Sequence, residues 1–158
     1  MSLEKAKAYL EKYGVADRVI EFEVSSATVE LAANALGCEP CMIAKSLTFG
    51  GPEGRPVMVI AAGDAKVDNH KFKDYFGIKA KMLTPDEVEN LIGHRVGGVC
   101  PFGINEGVDV YLDESMKRFD YIYPAAGSSN SAIKLSLCEL EEFSCAKAWI
   151  DVCKVLQV

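Results

Sequence analysis

One lysine stands inside an otherwise apolar run, Met42-Ile43-Ala44-Lys45-Ser46-Leu47-Thr48-Phe49, and a proline-locked glycine segment, Gly97-Gly98-Val99-Cys100-Pro101-Phe102-Gly103, follows later in the chain. Read as a β-strand, the run alternates its side chains, so Lys45 shares a face with Ile43, Leu47 and Phe49. An ammonium desolvated there requires a carboxylate, a ring of carbonyls or an anionic ligand, because an unpaired buried charge is costly. The bland alternative is a lysine whose stem snorkels from a sheet edge. The glycines can reach positive φ, and Pro101 fixes the chain before Gly103, so the loop can present backbone N–H groups to an oxyanion or a phosphate. A tight structural turn accounts for the same residues. The stretch Ala126-Gly127-Ser128-Ser129-Asn130-Ser131 is similar: small polar groups for a ligand's hydroxyl or amino group, or an ordinary turn.

Cysteine and histidine offer less. Cys38 and Cys41 have the spacing of a metal or redox pair, but two ligands fall short of the three or four that zinc takes, and His94 or Cys100 would have to be recruited from far away. We read the pair as core thiols, and the six cysteines as mostly buried and free. Cys100 is a candidate nucleophile by its place in the glycine loop, yet no histidine is tied to it by sequence. His70 sits in a lysine-rich helical stretch, where a solvated role is simplest.

The bulk properties set limits. At 158 residues and 49% hydrophobic, the chain suits one domain, residues 1–158, with its own core. No run approaches the roughly 18 apolar residues that cross a bilayer, and the start is charged, so we expect a cytoplasmic protein without a membrane partner. A net charge of −6 excludes a protein that coats nucleic acid by bulk electrostatics. Lys66, Lys71, Lys73, Lys79 and Lys81 crowd one stretch, which reads first as a mixed, solvated helix face.

These groups need elements to place them. Helical spacing and end signals predict helices over Leu3 to Tyr13 with Ser2 as cap, from Ser26 to Gly37, from Asp68 to Gly77, from the Thr84–Glu87 capping box to Gly93, and from the Ser136–Glu139 box through Phe143. Strands are predicted at Val19 to Phe22, at the Lys45 run, at Pro56 to Ala62, at Val108 to Leu112, at Phe119 to Tyr123, at Ile133 to Ser136 and at Ala146 to Val152. The Lys45 run and Pro56 to Ala62, joined by Gly50-Gly51-Pro52-Glu53-Gly54, should form a hairpin in the sheet centre. Irregular interleaving of hairpins and crossovers points to an α+β fold with a curved, mixed sheet flanked by helices.

Taken in order, Ala44-Lys45-Ser46-Leu47, the loop Gly97 to Gly103, Val110-Tyr111-Leu112-Asp113-Glu114, and Ala126-Gly127 leading into Ile133-Lys134-Leu135 resemble the YbaK/EbsC-type family, which includes the editing domain of bacterial prolyl-tRNA synthetases. The resemblance runs from about residue 25 to residue 150. It implies a barrel-like curved sheet and a deacylase that hydrolyses the ester of mischarged tRNA in trans, Cys- or Ala-tRNA(Pro) above all, without cofactor or metal. It implies that Lys45 is the key active-site residue, that amides from Gly98 onward face the oxyanion, and that Gly97, Val99, Cys100, Pro101, Phe102, Gly103, Gly127, Ser128 and Asn130 bind substrate. Lys45 would anchor the terminal phosphate or ribose, or polarise the ester carbonyl, and a substrate hydroxyl or thiol would help deliver or replace the water. The partners implied are the 3′ aminoacyl end of mischarged tRNA and prolyl-tRNA synthetase. Several family members carry an arginine after the glycine matching Gly127 and an acidic residue before the last core strand, where this chain has Ser128-Ser129-Asn130-Ser131-Ala132. That departure leaves a non-catalytic binding module of the same fold as the alternative.

Overall fold

The computed structural model describes residues 2–25 and 28–156. Helix ends fall where side chains can satisfy the unpaired terminal amides. Helix α1 (Ser2–Glu11) buries Ala6 and Leu10, and α2 (Val29–Leu36) starts at Thr28, whose Oγ1 accepts the Leu31 N–H at 3.1 Å. The capping roles read for the Ser2 side chain and for Ser26 lie outside the described residues. Helix α3 (Asn69–Phe76) is capped by the Asp68 carboxylate, which accepts the N–H groups of His70 and Lys71. Helix α4 (Pro85–Glu87) opens on the reciprocal Thr84–Glu87 box and runs on as one π-helical turn, Val88–Ile92, until Gly93 at φ 98° ends it. The Ser136–Glu139 box starts α5 (Leu137–Ser144) in the same way.

The strands are β1 (Ile20–Glu21), β2 (Ile43–Gly50), β3 (Pro56–Ala62), β4 (Ala65–Val67), β5 (Asp109–Asp113), β6 (Tyr121–Pro124), β7 (Ser131–Ala132), β8 (Leu135–Ser136), β9 (Ala148–Ile150) and β10 (Cys153–Val155). Six of them form a curled sheet in the order β8-β6-β2-β3-β5-β9. The β2–β3 and β6–β8 pairs are antiparallel, and β2–β6, β3–β5 and β5–β9 are parallel, so the sheet is mixed as expected of this α+β fold. The β2–β3 hairpin is central, and β3 is buried from Val57 to Ala62. Met58, Ile60, Leu112, Phe72 and Phe102 are fully buried, each such side chain contributing about 1.5–3 kcal/mol.

Several expectations change. The strand predicted over Ile133 to Ser136 is confined to β8 beside β6, and a separate strand just before it, β7, leaves the main sheet to pair with β1. The strand predicted over Ala146 to Val152 is shortened to β9; Val152, whose N–H donates to the Asp113 carboxylate at 3.0 Å, lies between it and a further strand, β10, which pairs with β4. The cysteines are not mostly buried: Cys100 and Cys153 are, Cys38 and Cys41 are half-buried, and Cys138 and Cys145 are exposed on or just after α5. No helix is long and apolar enough to cross a membrane among the described residues.

Candidate functional site

Lys45 lies on β2, third of six strands, so an edge lysine snorkelling outward is not what the fold holds. It pairs in register with Ala61 of the buried β3 and is itself half-buried. Among the described residues no acceptor or carboxylate lies within bonding distance of its ammonium. Burial lowers the pKa of Lys45, while the more distant Cys153, Asp64 and Glu30 pull it back up. Asp64 cannot serve as a close counter-ion, because both of its oxygens are engaged by the Arg118 guanidinium.

The free ammonium belongs to a residue lining a hollow of about 320 Å³. Ser46 and Thr48 of β2 share that lining, Gly97 and Val99 of the glycine loop face them, and Val29 and Ala32 of α2 close one side. The remaining walls are mainly apolar: Met82, Leu83, Val88, Val96 and Tyr123, with Ser131 adding a hydroxyl. Among the described residues the N–H groups of Gly97 and Val99 donate to no protein acceptor, and both residues line the same hollow as Lys45. The Ser46 hydroxyl is also buried and without a partner.

Gly98 behaves differently from its neighbours. Its N–H donates to the Arg95 carbonyl at 3.0 Å, so it is not a free oxyanion donor. A Cβ placed there would sit 2.7 Å from Cα and N of Ser128, which means that the glycine loop and the 126–131 loop meet backbone to backbone. Gly98 instead lines a second hollow, of about 740 Å³, together with Gly127 and Ser128. Cys100, Pro101 and Phe102 are buried in the core and reach neither hollow, and Gly103 packs on the backbone of α1 at Lys5. Asn130 also lines neither; its amide donates to the Phe22 carbonyl at 2.8 Å and its oxygen accepts from Ser128 Oγ at 3.0 Å, bracing the loop from behind.

The histidine missing from the sequence argument for Cys100 is supplied by the fold. His94 Nε2 lies 3.6 Å from Cys100 Sγ and 2.7 Å from the Phe102 carbonyl. A carbonyl only accepts, so Nε2 carries the proton and Nδ1 is left buried without a partner. Burial pushes the Cys100 thiol up to about 12 and holds the His94 pKa down, so both stay neutral, the reverse of an activated thiolate. The pair fastens the loop from the core side.

With this geometry in view, residues 23–143 match the family of aminoacyl-tRNA editing domains. The chain belongs to that family. Its relatives include the uncharacterised protein YwhH of Bacillus subtilis, 51% identical over 98% of both chains. They also include EbsC of Enterococcus faecalis, named as a candidate Cys-tRNA(Pro)/Cys-tRNA(Cys) deacylase, 28% identical over 83% of this chain and 82% of that one. The crystal structure of a candidate trans-editing enzyme for prolyl-tRNA synthetase superposes with a TM-score of 0.87 at 30% identity, covering 97% of each chain.

The sequence reading singled out Lys45, Gly97 and Val99, which line the first hollow, and Gly98, Gly127 and Ser128, which line the second. It missed Val29, Ala32, Met82 and Tyr123, since an apolar residue lining a hollow carries the same periodic signature as one in a core. Ser131 was within view as part of the small polar stretch, and it lines the Lys45 hollow while Ser128 lines the other.

Proposed function

We propose that this editing domain, acting as one unit, cleaves the ester of mischarged tRNA in trans, with Cys- and Ala-tRNA(Pro) as the first substrates to test. The observation that carries the reading is a half-buried ammonium, unpaired among the described residues, on a residue that lines a small hollow together with Gly97 and Val99. An aminoacyl ester is already activated, so its hydrolysis needs a placed water and donors aimed at the developing oxyanion. Gly97 and Val99 supply the donors in this reading, in place of Gly98, which is a positioning residue. Lys45 grips the terminal ribose-phosphate or polarises the carbonyl, and placing an anion or oxyanion against it restores the charge that burial disfavours.

Water adds to the carbonyl carbon, the carbon–oxygen bond to the ribose breaks, and the ribose oxygen takes up a proton as the free amino acid leaves. No carboxylate or imidazole lines the hollow among the described residues, which favours a proton path through the substrate's own hydroxyl or thiol. The volume of about 320 Å³ and the mainly apolar wall suit a small side chain, and rejection of larger ones follows from size.

The test is a deacylation panel with the purified full chain on proline, alanine and cysteine tRNAs, each carrying several wrong amino acids. Release of cysteine or alanine from proline tRNA by the native protein and its loss in Lys45→Ala are the expected outcome. Normal turnover by that variant would remove Lys45 from the chemistry. Binding without cleavage across the whole panel would make the protein a tRNA-binding module instead.

A further inference from the structure

The ammonium of Lys45 has a carboxylate in its neighbourhood that it does not receive. Gly63 and Asp64 make the turn from β3 into β4, a place that suits aspartate. Ala61, the β3 partner of Lys45, shortly precedes that turn, so Asp64 comes off the end of the strand that flanks the lysine. Cys153 of β10, Asp64 and Glu30 of α2 are the groups that act on the Lys45 charge, and of the two carboxylates Asp64 acts more strongly.

Asp64 is held elsewhere. Arg118 closes the 3₁₀ turn Glu114–Arg118, and its Nη1 and Nη2 donate to the two Asp64 oxygens, the first at 3.0 Å. This is a bidentate fork that an ammonium cannot supply. It holds the Asp64 carboxyl below the usual carboxylate range, so a negative charge stands there at neutral pH. The fork is itself anchored: Arg118 Nε donates to the Ser115 carbonyl at 2.8 Å, and Ser115 Oγ accepts the N–H of Ala62, the last residue of β3, at 3.1 Å. All three guanidinium nitrogens are thus used within a cluster tied to the strand beside Lys45.

We infer that Arg118 is a positioning residue of the editing site: by occupying Asp64 it keeps the Lys45 ammonium unpaired and available to an anionic or oxyanionic ligand. The consequence for turnover rests on the editing reading of the first hollow; the consequence for Lys45 itself does not. Without Arg118 the Asp64 carboxylate loses its partner, and the flexible four-carbon stem of Lys45 lets the ammonium swing toward it. The pair so formed satisfies both charges and leaves the hollow without its cation.

The test follows the ammonium directly, by NMR titration of the full chain isotope-labelled at lysine Cε, with the Lys45 signal assigned by its loss in Lys45→Met. Arg118→Met is expected to raise the Lys45 pKa by about one pH unit, because an opposite charge brought close favours the charged form. Asp64→Asn/Arg118→Met, which removes the stranded carboxylate as well, should return it to the native value or slightly below. In the deacylation panel the single substitution should lower kcat/KM about tenfold and the double one should restore most of it. A merely structural tie is not restored by deleting its second half. Should Arg118→Met fail to fold, Arg118→Lys, which keeps the charge but not the fork, carries the same test with a smaller rise. An unchanged Lys45 pKa in the folded variant, or equal losses of activity in the single and double variants, overturns the inference. A native chain without deacylase activity removes the editing reading and leaves the titration to decide the role of Arg118.

Discussion

A half-buried lysine with no close counter-ion among the described residues is an expense that the fold alone does not explain. Its folded-state pKa lies below the unfolded one, so the charged form costs stability at neutral pH, and the cost fades as pH rises through the folded value. Replacing the ammonium with an apolar side chain of similar length should therefore stabilise the protein. Lys45→Met is expected to raise the melting temperature by about 2–4 °C, equivalent to roughly 1 kcal/mol in a chain of this size. The same variant should be inactive in the deacylation panel. A fall in melting temperature would mean that the ammonium is held by groups of the protein itself.

At the scale of elements, the site depends on two loops meeting without side chains between them. Gly98 has no positive φ, so its requirement is purely spatial: a methyl group there would lie 2.7 Å from the Ser128 backbone. Gly98→Ala should cost about 1–3 kcal/mol in chemical denaturation, as overpacking does. It should also reduce deacylation by parting the loops that carry Gly97 and Ser131, whereas unchanged stability and turnover would show that the contact is slack. The element ends at Thr84, Ser136, Gly77 and Gly93 were legible in the sequence because caps act over three or four residues. Strand β1 was legible within the run Val19 to Phe22, but β4, β7, β10 and the β1–β7 and β4–β10 pairings were not. Two- and three-residue strands take their identity from a partner far along the chain, Ile20 from Ala132 and Val67 from Cys153, and no local pattern encodes that pairing. The Cys100–His94 contact was hidden for a different reason: the two residues are near in sequence, but only the path of the irregular loop between them brings the side chains together.

Across the whole molecule, a few ion pairs tie distant segments together. Arg18, in the 3₁₀ turn after α1, reaches Glu139 in the first turn of α5 at 2.8 Å and also holds the Lys134 carbonyl. The Arg18 guanidinium, aided by the Ser136 N–H, brings the Glu139 carboxyl down to about 2 from the usual 4.5. With the folded value below the unfolded one, this link contributes stability above about pH 4.5 and loses it as the pH falls toward 2. Thermal melts over that range should decline more steeply for the native chain than for Glu139→Gln, and parallel declines would show that the pair is already screened in solution.

Consecutive residues divide the two hollows, Gly97 lining one and Gly98 the other, and Val88 one and Glu89 the other, with Val96 lining both. A partition that thin cannot be thickened toward one chamber without intruding on the other. A substitution that reshapes one hollow will therefore reshape the other, so the two cannot be altered independently.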